Sequence, residues 1–102
     1  MNGIELITQE RKRQIEVEGW TQEHDKQHIG GDLAAAGAAY AVGAASSLVN
    51  QDDDYRATMY ADVAEVVWPW DEEWWKPTPE NIVRQLAKAG ALIAAEIDRI
   101  QG

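Results

Sequence analysis

The sequence predicts an all-α fold, a small bundle of about four helices with a tryptophan-rich connecting segment. Three observations predict it: apolar residues at helical spacing towards the C-terminus, a run of small residues in the middle of the chain, and helix-start signals ahead of the first and last segments. At 102 residues the chain has the size of one small domain, so we expect residues 1–102 to form a single helical domain.

The first helix is predicted over Gly3–Glu18, because Asn2 and Glu5 fit a capping box and Gly19 fits a C-terminal stop. Its inward face begins apolar and then turns polar. The residues on this face are Ile4, Ile7, Arg11, Gln14 and Glu18. Such a face belongs either to a frayed, exposed helix or to a helix that borders a polar cavity, and helical periodicity does not separate the two.

A short helical segment between its cap, Thr21, and a pair of glycines carries two histidines. Four residues apart on a helix, His24 and His28 face one way and can chelate zinc, with Asp25 where zinc peptidases have their general base. Only Asp32 is available as a third ligand. Two other roles therefore stay open: a hydrogen-bonding pair of His24 with Asp25 at the helix start, or imidazoles that donate to a phosphate or a base edge.

The second long helix is predicted over Asp32–Leu48, with its acidic first residue suited to the helix dipole. Most of its residues are alanine, glycine or serine, which let neighbouring backbones approach closely. This composition predicts either the central helix of a bundle or a seam for self-association. Because alanine supplies little buried area, we expect a homo-oligomer formed through this helix.

The segment 55–67 fits a helix better than a strand. The residues that carry the helical spacing are Tyr55, Met59, Val63 and Val66, and Pro69 ends the segment. The last helix is predicted from Pro79 to Ile100, with Thr78 as its cap. We expect its apolar stripe to be buried in the core; this stripe consists of Ile82, Leu86, Ala89, Ile93, Ile97 and Ile100.

Four of the five tryptophans fall within residues 68–75, and the chain has no phenylalanine. An indole joins a large apolar surface to an N–H that needs a partner, so this segment predicts a shaped aromatic wall, as a lid over the core or as one side of a pocket. An aromatic face stacks a base, and nearby lysines and arginines pair with phosphate. The predicted ligand-binding residues are Arg11, Gln14, Trp20, His24, Asp25, His28, Trp70, Trp75, Lys76 and Lys88.

A plainer interpretation of the same residues also stands. In it the tryptophans only cap the hydrophobic core, while Arg84 and Lys88 face solvent. Taken singly, Trp74 and Arg84 favour this interpretation.

The composition limits the classes of partner. A net charge of −9 argues against binding to duplex nucleic acid, which needs a basic face, but it admits a small anion bound in one pocket. Without cysteine the chain has no disulfide and no thiolate metal site. No leader-like or bilayer-length apolar segment is present, so we expect a cytoplasmic protein that does not contact membranes. We expect no cofactor, no bound metal and no catalytic residue.

Magnesium bound by carboxylates is the main alternative. All-α nucleotide pyrophosphohydrolases of the MazG type place closely spaced acids on facing helices, so that Mg²⁺ clamps a triphosphate. The acids available here are Glu16, Glu18, Asp62, Glu65, Glu96 and Asp98. None of them forms the double-glutamate motif of such enzymes, so this activity stays second to binding.

One sequence pattern extends over nearly the whole chain except Asn50 to Val67. Its parts are Glu10-Arg-x-Arg-Gln14, Glu18-Gly-Trp20, His24-Asp-x-x-His28, Tyr40, Trp68-Pro-Trp70, Trp75-Lys-Pro77 and Leu86-x-Lys-Ala-Gly-Ala-Leu-Ile-x-Ala-Glu96-Ile-x-Arg99. The pattern resembles that of a family of small phage and prophage accessory proteins. The resemblance implies a phage gene product acting in a bacterial cytoplasm, and it brings no activity with it.

Three functions suit that context. The first is a protein that binds and sequesters a nucleotide-like anion, for example a cyclic nucleotide signal of host antiphage defence. The second is the pyrophosphohydrolase, and the third is an inhibitor that binds another protein through its acidic surface. Sequestration needs an aromatic and basic pocket but no catalytic constellation, which is why the sequence favours it.

Overall fold

The computed structural model describes all of residues 1–102 and contains five α-helices and no strand, which confirms the all-α prediction. The helices are α1 (Gly3–Glu16), α2 (Gln22–Asp25), α3 (Asp32–Leu48), α4 (Asp54–Val67) and α5 (Ile82–Gln101). The tryptophan-rich segment joins α4 to α5 and contains a single 3₁₀ turn, Glu72–Trp74. None of the helices is both long and apolar enough to cross a membrane.

The four long helices form an open bundle, a row in the order α1, α5, α3, α4. Helix α5 packs against α1 on one side and α3 on the other, α3 also packs against α4, and the short α2 packs against α5. The small-residue helix α3 is therefore central, which is one of the two roles predicted for it. At Gly37 a Cβ atom would lie 3.0 Å from the carbonyl oxygen of Ala89, so a larger residue would push α3 and α5 apart by a few tenths of an ångström.

The prediction of the buried stripe on the last helix is wrong for four of its six residues. The exposed fractions are 42% for Leu86, 45% for Ile93, 51% for Ile97 and 69% for Ile100, whereas Ala89 is buried and Ile82 is half-buried. Besides Ala89, α5 buries Gln85, Ala87, Ala91, Leu92, Ala95 and Glu96. Because α5 lies between two helices, it buries a broad face of small residues, and two buried polar side chains on that face bond to α3. Apolar periodicity identifies the isoleucines and overlooks this face.

Two predicted helix ends also shift. Helix α1 ends at Glu16 instead of Glu18, since the chain then turns through Gly19, whose φ of 75° is left-handed. Helix α5 begins at Ile82 instead of Pro79, because Asn81 and not Thr78 caps it, accepting a hydrogen bond from the backbone N–H of the third helical residue at 3.1 Å.

A carboxylate from another helix caps α3. The residue before this helix is Gly31, which has no side chain to accept a hydrogen bond. Glu96 of α5 accepts one from the backbone N–H of Ala34 at 3.1 Å and pairs with Arg99 at 2.6 Å. Burial alone would raise the pKa of Glu96, but the hydrogen bonds from Arg99 and Ala34 hold the pKa below its ordinary value.

Replacing Glu96 by alanine is expected to lower the free energy of unfolding at neutral pH by about 1–3 kcal/mol, because a buried carboxylate that accepts two hydrogen bonds is lost. A carboxyl with a lowered pKa stabilises the fold above its unfolded-state pKa, and this stabilisation disappears as the pH falls through the lowered value. Urea denaturation at neutral and acidic pH tests both points. Asp98→Ala, on an exposed position of the same helix, is the control, and an equal loss in both variants would contradict the capping role.

Candidate functional site

A cavity of about 450 Å³ lies between α1, α2, the tryptophan-rich segment and the row formed by α3 and α5. Its walls combine aromatic rings, cations and a few acidic or aliphatic side chains. The lining residues are Glu10, Arg13, Gln14, Glu18, Trp20, His24, His28, Leu33, Tyr40, Trp68, Trp70, Trp74, Lys76, Arg84, Lys88 and Leu92. The volume falls in the range of small-molecule sites, about 300–1,000 Å³.

One wall is a continuous series of aromatic rings. Trp20 stacks parallel to His24 with ring centroids 6.3 Å apart, and the rings of His24 and His28 lie 4.9 Å apart. His28 contacts Trp70 at 4.9 Å, and Trp70 meets Trp68 edge-on at 5.2 Å. The four-residue spacing on and just after α2 places the two imidazoles side by side, so they join the indoles into a single surface.

The tryptophan-rich segment is held to the core through Tyr40 of α3. The Tyr40 hydroxyl accepts a hydrogen bond from the backbone N–H of Lys76 at 3.1 Å, and its ring stacks on Trp75 at 4.8 Å. Burial raises the pKa of the Tyr40 hydroxyl above its ordinary value. Trp75, predicted to contact a ligand, instead packs against Tyr40 and beside Gly43.

A buried ion pair lies behind the aromatic wall. Asp25, 2% exposed, accepts a hydrogen bond from Arg11 Nη2 at 2.9 Å, and its other oxygen lies 3.2 Å from His24 Nδ1. Arg11 also donates to the backbone carbonyl of Trp20 at 3.1 Å. Arg11 and Asp25 were predicted to contact the ligand, but neither lines the cavity. They instead hold in place Trp20 and His24, whose rings do line it. In a neutral imidazole that donates from Nδ1 to Asp25, Nε2 remains free to accept.

The facing wall comes from polar side chains of α1. Arg13 donates to both oxygens of Glu10, at 2.9 and 2.8 Å, and to Glu18 at 3.0 Å. The hydrogen bond to Glu10 is the largest of several contacts that raise the pKa of Arg13 above its ordinary value. Both carboxylates are therefore compensated by one guanidinium. Of the predicted stripe itself, Gln14 and Glu18 line the cavity, whereas Arg11 does not and Ile4 is 75% exposed.

Three cations at the cavity have no carboxylate partner. Of the nine lysines and arginines in the chain, six form ion pairs. The remaining three, Lys76, Arg84 and Lys88, all line the cavity. The chain has twice as many acidic as basic residues, so three unpaired cations in one place are not what random placement on an acidic surface would give.

Lys88 is the most enclosed of these cations. Its Nζ donates to the backbone carbonyl of Lys76 at 3.0 Å and lies 5.7 Å from the centre of the Tyr40 ring. Burial, followed by the nearby guanidinium of Arg84, lowers the pKa of Lys88 below that of an ordinary lysine. An anion bound beside Lys88 would compensate both effects.

Two of the residues that line the cavity each hold one buried polar atom with no hydrogen-bond partner. These atoms are the amide oxygen Oε1 of Gln14, a residue only 2% exposed, and the indole N–H of Trp70. Leaving such groups unpaired costs about 1–3 kcal/mol each. Both atoms lie beneath the cavity surface, so a ligand would reach them only after the side chain of Gln14 or Trp70 turns.

The structure brings seven of the ten predicted site residues to the cavity: Gln14, Trp20, His24, His28, Trp70, Lys76 and Lys88. Arg11, Asp25 and Trp75 lie behind its walls. Arg84 and Trp74, which the sequence favours as a solvent-facing residue and a core cap, both line it. Sequence reasoning missed Glu10, Arg13 and Tyr40; Glu10 and Arg13 lie beside the predicted polar stripe of α1 and are not part of it.

The metal hypotheses find no ligand set in this fold. No three histidine, aspartate, glutamate or cysteine side chains come together in a group that could hold a metal ion. His28 Nδ1 lies 3.9 Å from Asp32 and His24 faces Asp25, so the two histidines pair with separate carboxylates.

Comparison with known proteins gives no precedent for this site. No protein-family model, no curated protein and no solved structure matches the chain. A function must therefore be argued from the cavity itself.

Proposed function

We propose that the chain binds and sequesters a small nucleotide-like anion in this cavity. The observation that carries the proposal is the gathering of all three unpaired cations, Lys76, Arg84 and Lys88, at one aromatic-walled cavity in a chain of net charge −9. Lys88 is partly buried and the other two are exposed, and a cavity that only completed the core would gain nothing from this unpaired charge.

The aromatic wall suits a nucleobase. Stacking of a base on an aromatic side chain contributes about 1–3 kcal/mol and is available to every base. The N–H of Trp70 and the amide oxygen of Gln14 have no partner, and each would be free to bond a ligand once its side chain turned towards the cavity. A ligand that satisfied both groups would remove the cost of leaving them buried and unpaired.

The cations suit phosphate. The guanidinium of Arg84 has the planar fork that binds phosphate oxygens in pairs, while Lys76 and Lys88 act as point charges. The rest of the chain is acidic and repels the phosphate backbone of a nucleic-acid duplex. The cavity therefore favours a small anion over a long one.

The phage context implied by the sequence pattern suggests which nucleotides to test first. An accessory protein of a phage gains from removing a cyclic nucleotide signal of host defence, and removal needs tight binding without chemistry. We therefore place cyclic mononucleotides and cyclic dinucleotides ahead of linear nucleotides as ligands.

Tryptophan fluorescence tests the proposal, because Trp20, Trp68, Trp70 and Trp74 all line the cavity. Titration with mono-, di- and cyclic nucleotides is expected to quench or shift the emission with at least one of them. A folded chain whose emission responds to none of the panel would contradict the proposal.

The fate of the ligand separates sequestration from hydrolysis. After heat denaturation of a complex prepared with Mg²⁺, sequestration returns the nucleotide intact. The pyrophosphohydrolase alternative returns a monophosphate from a triphosphate. Chromatography of the released nucleotide distinguishes the two.

The affinity for the nucleotide is expected to fall as the pH rises through the lowered pKa of Lys88, because only the charged amine attracts phosphate. The groups around this amine are Arg84 on α5, Glu80 just before it, Glu10 and Arg13 on α1, and the ring of Tyr40 on α3. Lys88→Arg is the matched control, since a guanidinium stays charged throughout. Fluorescence titration from neutral to alkaline pH gives both profiles, and superimposable profiles would contradict the role of Lys88.

A further inference from the structure

The exposed apolar stripe of α5 is a surface without a partner in the single chain. We call Leu86, Ile93, Ile97 and Ile100 the α5 ridge; their spacing of seven, four and three residues places them on one helix face. Ile82 and Gly90 complete that face, so it carries no charge along the helix although 26% of the residues in the chain are charged. Burial of such a ridge is strongly favourable in water.

Small and apolar residues flank the ridge on both sides. Ile93 abuts α3 at Gly37, where the neighbouring Ala34 and Ala38 are exposed. On the other side Ile7 of α1 packs over Gly90, and Ile4, one turn earlier, is 75% exposed. The ridge is therefore the raised part of a wider apolar face bordered by a flat strip of alanines.

The total surface of the chain supports a missing partner. A compact monomer of 11.3 kDa is expected to expose about 5,700 Å². This chain exposes 6602 Å². The excess of roughly 900 Å² includes the walls of the open cavity, and it is of the same order as the ~800 Å² that each partner buries in an interface of standard size.

We propose that a second copy of the chain covers this face in a twofold dimer. In a twofold dimer, the α5 ridge of each copy can pack on the exposed alanines of α3, Ala34 and Ala38, in the other copy. Elsewhere two copies of net charge −9 repel one another, so an uncharged face is where they can approach. This interface joins α5 to the exposed side of α3, whereas the sequence alone points to α3.

The dimer leaves both cavities open. Lys88 follows Leu86 by two residues and therefore points to the opposite side of α5, towards the cavity. Each dimer thus has two independent sites, and the interface can be tested without reference to any ligand.

Light scattering coupled to size exclusion tests the interface. The wild-type chain is expected to have twice the 11.3 kDa of one copy. Ile97→Glu is expected to weaken the dimer at least about 100-fold and give the monomer mass, because the twofold axis buries two unpaired carboxylates. Val66→Glu is the control, an equally apolar and 84% exposed position on α4, and it should stay dimeric.

Circular dichroism shows whether each variant is folded. If Ile97→Glu does not fold, the mass of Ile100→Glu tests the interface in its place. Ile100 is 69% exposed in the last turn of α5, so a charge there does not disturb the fold of the single chain. A monomeric wild-type chain, a dimeric and folded ridge variant, or dissociation by Val66→Glu alone would each overturn the proposal.

Discussion

Replacement of Asp25 by asparagine is expected to lower the free energy of unfolding by about 3–5 kcal/mol. Asp25 is 2% exposed, and the partner it would leave, the guanidinium of Arg11, has only 12% of its side chain exposed. Asparagine keeps the shape but not the charge, so a largely buried cation loses its counter-ion. Since small domains are stable by only about 5–15 kcal/mol, this one change would remove much of the stability.

Glu23→Gln is the matched control for this prediction. Glu23 is also an acidic residue of α2 in an ion pair, with Lys26 at 3.2 Å, but its side chain is 84% exposed. Exposed pairs of this kind contribute about 0–1 kcal/mol. Denaturation of both variants with guanidinium chloride gives the two free energies of unfolding. A loss of under about 1 kcal/mol for Asp25→Asn would contradict the claim that the buried Arg11–Asp25 pair stabilises the fold.

Reversal of charge at Lys88 is expected to weaken nucleotide binding at least about 100-fold, or roughly 2.7 kcal/mol. The variant Lys88→Glu removes a cation that no carboxylate compensates, removes the hydrogen bond to the backbone carbonyl of Lys76 and adds an anion to the cavity wall. The ligand phosphate then meets repulsion in a partly desolvated site, where charges interact more strongly than in water.

Arg56→Glu is the control that separates the change in net charge from the loss of a cation at the cavity. Arg56 lies on α4, is absent from the cavity lining and pairs with Asp53 at 3.5 Å, and its reversal changes the net charge by the same amount. Its effect on affinity should be within about threefold at physiological salt, because distant surface charges are screened. Equal weakening by both variants would mean that general charge, and not the cavity, controls binding.

The elements of the fold with local causes could be predicted from the sequence. The capping box of Asn2 with Glu5, the small residues of α3 and the helical spacing in α4 all depend on near neighbours, and these helices lie where they were expected. The face that α5 buries could not be predicted in this way. Gln85 and Glu96 are buried because they bond to Tyr40 and Ala34 of α3, which are distant in sequence.

The candidate site follows the same division. His24 and His28 share a surface because of their spacing, and the tryptophans are adjacent in the chain, so both could be foreseen. Tyr40 could not, because its hydroxyl meets the backbone of Lys76 only after α3 and the tryptophan-rich segment have packed together. Trp75 was expected in the site, but adjacent indoles do not reveal which of them turns towards the core.

Isothermal titration calorimetry of the wild-type chain with cyclic nucleotides tests the central claim most directly, because it measures binding whether or not the indole emission changes. We expect saturable heat with one ligand per chain for at least one cyclic nucleotide, and an affinity that falls with added salt as phosphate contacts require. A chain that is folded by circular dichroism and gives no saturable heat with any cyclic, linear mono- or diphosphate nucleotide would contradict the account.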